Sequence, residues 1–184
     1  MRFHHVIVFS FALLVLFASL AVAQTSQPQH KLDVPYVPTT EEAVKAMLKL
    51  ADVKKSDIVY DLGCGDGRIV IAAAKEYGAH GVGIDINPER IQEAEENAKK
   101  AGVEKVVRFE EKDLSKADIH EATVVTLFLL EKVNLKLRPK LLRDLKPETR
   151  IVSNTFGMGD WKPAREVRLS RELTQTVKTL FAVR

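Results

Sequence analysis

The chain has 184 residues, 46% hydrophobic and 29% charged, with a net charge of +3; this suits one globular domain and excludes a disordered chain or a multispan membrane protein. A single cysteine, Cys64, excludes an intramolecular disulfide, and five histidines without metal-ligand spacing argue against a metal site. Charge is unevenly spread, with 14 basic and 19 acidic side chains over residues 24–130 but 13 and 6 over residues 131–184.

The N-terminus opens with Arg2 and an apolar run from Val6 to Ala23 that closes on Ala21-Val22-Ala23. That is the layout of a secretory signal peptide cleaved after Ala23, and an uncleaved membrane anchor is the alternative, since about 18 apolar residues just span a bilayer. Either way the domain is expected outside the cytoplasm, periplasmic or extracellular, or anchored at the membrane by this segment. Residues 24–33 read as a polar linker, and the domain is expected over residues 34–184. Pro35 and Pro38 enforce an extended approach, and Thr39 with Glu42 has the spacing of a capping box that opens a helix over about residues 40–51.

From Asp57 onward the apolar period alternates between strand and helix. "IVYDLG" is a strand; "RIVIAAAKEYG" is a helix ending at Gly78; "GVGIDIN" is a second strand; and Pro88 opens a helix that Gly102 ends. "VVRFEEKD" is a third strand and "TVVTLFLL" a fourth, apolar enough to lie at the centre of a sheet covered on both sides. Val133, Leu137, Leu141 and Leu145 stripe the following helix, and "TRIVSNTF" is a fifth strand. "AREVRLS" and "TQTVKTLFAVR" have no helix between them, so they predict an antiparallel hairpin at the sheet's edge. The fold class is therefore α/β: an open, doubly wound, mostly parallel sheet.

In such a sheet a ligand lies beyond the C-terminal strand ends, over the first strand-to-helix turn. Here that turn is Asp61 to Gly67, with glycines at 63, 65 and 67 rather than at dinucleotide-fingerprint spacing. The carboxylates of Asp61 and Asp66 would repel a pyrophosphate but suit a ligand carrying an ammonium and a sulfonium, as S-adenosylmethionine does. Asp85, 18 residues beyond Gly67, ends the second strand and can accept both hydroxyls of a ribose, while Asp113 ends the third and can accept from an adenine amino group. Cys64 reads as a small loop residue.

"DLGCGDGR" followed by "GIDIN" resembles class I S-adenosylmethionine-dependent methyltransferases over about residues 34–184, which implies a seven-stranded sheet with an antiparallel last strand. "PYVPTTEEAVKAML", "VVTLFLL", "VNLKLRPKLLRDLKPETRIVSNTF" and "WKP" carry a narrower resemblance, to small prokaryotic protein-lysine methyltransferases related to the mitochondrial enzymes that act on the ATP synthase c-ring protein and the adenine nucleotide translocator. That resemblance implies a protein lysine as substrate and a role for Tyr36 and Thr39 in closing over cofactor and lysine. Tyr36, Glu131, Asn154 and Trp161 are the candidate residues of the lysine channel, with Glu131 and Asn154 just past the fourth and fifth strands.

No Asn-Pro-Pro-Tyr type motif follows the fourth strand, which argues against methylation of adenine N6 or of glutamine amides. Nucleic acid is not an expected partner, for want of strong basicity and aromatic interleaving. The basic C-terminal third suits membrane association, and a monomer is expected. Two alternatives are a small-molecule methyltransferase and an exported, non-catalytic adenosyl-binding module.

Overall fold

A computed structural model of the chain describes residues 37–169 and, as backbone, 176–181. All described elements belong to one unit, Leu32–Arg184. The Val6–Ala23 run, the linker and Tyr36 lie outside the described residues. Among the described residues no helix is long and apolar enough to cross a membrane.

The order of elements is α1 (Glu41–Leu50), β1 (Ile58–Leu62), α2 (Arg68–Tyr77), β2 (His80–Asp85), α3 (Pro88–Ala101), β3 (Val107–Glu111), β4 (Val124–Leu127), α4 (Glu131–Asp144), β5 (Arg150–Asn154), β6 (Arg165–Arg168) and β7 (Thr176–Phe181). The strands form one sheet in the order β3-β2-β1-β4-β5-β7-β6. β1 to β5 are parallel; β7 runs antiparallel to β5, and β6 antiparallel to β7. This is the expected doubly wound sheet with its C-terminal hairpin at one edge.

Period-2 alternation sorts each strand's side chains between two cores. Along β1, Val59 faces one way, onto Val44, Met47 and Leu48 of α1 and Ile69, Val70 and Ala73 of α2. Tyr60 and Leu62 face the other way, onto Ile119 and Val133, Leu137 and Leu141 of α4. Apolar side chains on both faces of the central strands are what their near-continuous hydrophobic sequences require.

Local signals end the helices where expected. Asn87 caps α3, its side chain accepting from the Glu89 N–H, and Gly78 and Gly102 close α2 and α3 in the left-handed conformation. One cap differs: Thr40, not Thr39, caps α1, its Oγ1 accepting from the Ala43 N–H at 3.2 Å, so no Thr39–Glu42 capping box forms. Thr39 is instead buried, and its carbonyl accepts from Arg68 Nη1 at 2.7 Å. A tertiary partner has taken the residue that local spacing assigned to the cap.

The chain runs outward through β1, β2 and β3, then returns to place β4 on the other flank of β1. That reversal opens a crevice beyond the C-terminal ends of β1 and β4.

Candidate active site

β1 delivers the chain into the glycine loop at Leu62. Gly63 and Cys64 donate their N–H groups to the Ile84 carbonyl at 2.8 and 3.0 Å, and Gly67 donates to the Cys64 carbonyl at 2.9 Å. Gly63, at φ 86°, and Gly67, at φ 79°, both lie in the left-handed region. A Cβ on Gly67 would sit 2.7 Å from the Phe109 ring and 2.9 Å from Ala94 Cβ. Gly67→Ala is therefore expected to lose about 2–4 kcal/mol, from backbone strain and overpacking together. The denaturation midpoint would fall at an unchanged slope, and a loss under about 0.5 kcal/mol would refute the close fit.

The same strand region holds two aspartates in opposite situations. Asp57, just before β1 and 4% exposed, accepts from Thr123 Oγ1 and from the Lys54 N–H, each at 2.7 Å, and pairs with the Arg150 guanidinium. Its buried charge is thus compensated. Asp61, near the end of β1 and 3% exposed, receives one hydrogen bond, from Thr126 Oγ1 of β4 at 2.7 Å. Among the described residues no cationic side chain pairs with it. Burial, with lesser contributions from the Asp85 and Asp66 charges, pushes its carboxyl up to about 7. An uncompensated carboxyl at the ligand edge of the sheet is a group prepared for a cation from outside the chain.

Asp66 differs from its sequence reading. Both of its carboxylate oxygens engage Arg68, with Nε 2.9 Å from Oδ1 and Nη2 2.6 Å from Oδ2, so its charge is already answered within the chain. Arg68, which sequence reasoning missed, therefore ties the glycine loop to the Thr39 carbonyl in the segment before α1. A Gly-Arg helix start gives no hint of a partner 29 positions upstream.

Asp85 ends β2 as expected and is partly buried. Oδ2 accepts from the Gly65 N–H and Oδ1 from the Asn87 N–H, each at 3.0 Å, which fixes the carboxylate and fastens the loop to β2. Each oxygen keeps further acceptor capacity for a neighbouring pair of hydroxyls. Asp113 does not end β3, which stops at Glu111; two residues on and exposed, it sits in a turn whose carboxylate accepts from Ser115 N–H and Oγ, both at 2.8 Å. Those bonds hold it below the usual carboxylate range.

On the acceptor side, Asn154 ends β5 with 0% exposure; its Oδ1 accepts from Thr155 Oγ1, and its Nδ2 has no hydrogen-bond partner. Glu131 is exposed at the first position of α4. Trp161 packs on the core, with the Arg138 guanidinium 5.7 Å from its ring centroid. Cys64 is buried behind Gly83, and burial pushes its thiol up, so it has no nucleophilic character.

Asp61, Asp85 and the glycine loop fit S-adenosylmethionine. Asp61 would balance its positive charge, Asp85 would receive the ribose hydroxyls, and the loop, free of side chains at 63, 65 and 67, would admit it closely. When bound, that cofactor supplies a methyl group on a positively charged sulfur.

The strand order and the paired acids define a class I S-adenosylmethionine-dependent methyltransferase. Residues 61–165 match the ANTKMT methyltransferase domain, and the chain belongs to that family. It is 50% identical over 137 residues to a protein-lysine N-methyltransferase of Saccharolobus islandicus, covering 74% of this chain and 85% of that one. It is 34% identical over 137 residues to an adenine nucleotide translocase lysine N-methyltransferase of Mus musculus, covering 74% of this chain and spanning 59% of that longer relative. Among solved structures, a Salinibacter ruber protein described as an RNA methyltransferase, in complex with S-adenosyl-L-homocysteine, superposes with a TM-score of 0.76 at 53% identity, covering 79% of this chain and 93% of the other.

Proposed function

We propose that this chain methylates lysine side chains of protein. The similarity to the Saccharolobus islandicus enzyme carries the reading, because it extends over 85% of that protein and the crevice keeps an uncompensated Asp61 at its centre. An amine is nucleophilic only when neutral, and a lysine's ordinary pKa is about 10.4. The chain's task is thus to hold the amine away from bulk water, in line with the methyl group, and to accept its proton. Asn154, at the end of β5, and Glu131, at the start of α4, are candidates for positioning the amine and accepting the proton. Tyr36 and Thr39 are candidates for closing the segment before α1 over the site, with Arg68 as its tether, and Trp161 for bordering the channel.

The test supplies purified enzyme with methyl-labelled cofactor and offers it a protein extract, free lysine and RNA in parallel. Label recovered as methyl-lysine in the protein hydrolysate supports the proposal. Label in RNA alone, in keeping with the description of the Salinibacter ruber relative, or in free small molecules alone, refutes it.

We also propose that the Val6–Ala23 run carries the domain out of the cytoplasm or anchors it at the membrane, with the basic C-terminal third meeting anionic headgroups, and that the protein acts as a monomer. The intact mass and its partition on cell fractionation test the first part: a mature chain starting at Gln24, or a full-length chain resisting alkaline extraction, agrees, and a full-length soluble cytoplasmic chain contradicts it. Sedimentation of the purified chain tests the second.

A further inference from the structure

Two aromatic rings stand at the ligand edge of the sheet. Phe128 follows β4 and Phe156 follows β5; both are half-buried, their centroids 6.3 Å apart and their planes inclined by 27°. β4 pairs with β1 up to Leu127–Leu62 and with β5 up to Leu127–Ser153. Phe128 is thus the first residue beyond the paired strand ends, level in the chain with the start of the glycine loop.

Phe156 is held there by an unusual turn. Thr155 is β-branched yet lies at φ 64°, a conformation costing about 1–3 kcal/mol. The Phe156 N–H donates back to the Asn154 carbonyl at 2.7 Å. The Phe156 carbonyl accepts from Ser153 Oγ at 2.6 Å, and buried Asn134 donates Nδ2 to the Gly157 carbonyl at 3.1 Å. A turn serving only as a connection would place glycine or asparagine at the left-handed position. Asn154, which precedes the turn, is fully buried, and its Nδ2 has no hydrogen-bond partner.

We propose that Phe128 and Phe156 form the wall of the methyl-acceptor pocket, and that this wall selects an aliphatic ammonium side chain. The assignment rests on the lysine reading above. Aromatic faces attract ammonium groups and also exclude water from the alkyl stem.

The test measures binding of N-acetyl-trimethyllysine amide, and of N-acetyl-norleucine amide as its neutral counterpart, to the full chain saturated with S-adenosylhomocysteine. The wild type is expected to prefer the cation by about 5- to 30-fold. Phe128→Leu and Phe156→Leu are each expected to lose most of that preference, with S-adenosylhomocysteine affinity within twofold of wild type; Phe156→Tyr, which keeps an aromatic face, should retain it. A wild type that makes methyl-lysine without preferring the cation overturns the proposal, as does a preference surviving in both leucine variants. If no methyl-lysine forms at all, the lysine reading fails, yet a cation preference lost in the leucine variants would still establish the aromatic wall.

Discussion

Replacing Asp85 with alanine lowers affinity for S-adenosylhomocysteine by about 100-fold or more, measured by calorimetry. Hydrogen bonds to a charged acceptor contribute about 1.5–3 kcal/mol each, and this carboxylate has acceptor capacity for two ribose hydroxyls. The substitution also removes the acceptor of the Gly65 and Asn87 N–H groups, so the variant loses about 1–2 kcal/mol of stability while staying folded. Asp85→Asn separates the two roles, since its amide keeps one oxygen for the loop. A folded alanine variant binding within threefold of wild type would show that the loop, and not this carboxylate, holds the ligand.

Cofactor affinity falls as pH is lowered from 7.5 to 5.5, by about 20- to 30-fold. Asp61, pushed up to about 7, must lose its proton before it can balance a positive charge, and each pKa unit corresponds to a factor of ten. Below neutrality, binding therefore releases a proton, visible as an enthalpy that changes with the ionisation enthalpy of the buffer. The ligand's own amino group stays mostly protonated across this range. The free protein responds in the opposite sense. Because the folded-state pKa lies above the ordinary 3.8, the stability Asp61 contributes is complete below about 4 and is lost as pH rises through about 7. Asp61→Asn should flatten both profiles; a binding profile that remains equally steep in Asp61→Asn would assign the titration to another group.

Much of the architecture was legible because each of its signals is local. Apolar runs with turn residues at their ends located β1, β2, β4 and β5, the glycines at 78 and 102 ended two helices where expected, and the missing helix between β6 and β7 implied the antiparallel pair. Boundaries slipped where a tertiary partner outweighed a local preference. Thr39 has capping-box spacing, but its carbonyl is taken by Arg68 and the cap moves to Thr40. Asp113 is close enough to the third strand to be read as its end, but Ser115 draws it into a turn beyond the last paired residue, Glu111.

The site divides along the same line. Residue types and spacing along the chain determined that a glycine loop lies between β1 and α2 and that Asp85 ends the next strand, because a strand-to-helix turn and the alternation of a parallel sheet are properties of neighbouring residues. Only the tertiary structure decided which of those acids keeps an uncompensated charge. Asp57, Asp61 and Asp66 are alike in sequence, but Arg150, 93 positions away, answers the first and Arg68 answers the last. Asp61 is left with one hydroxyl on the neighbouring strand. The pairing of charges depends on which strand ends the fold brings together, and that is set by burial and strand order over the whole chain.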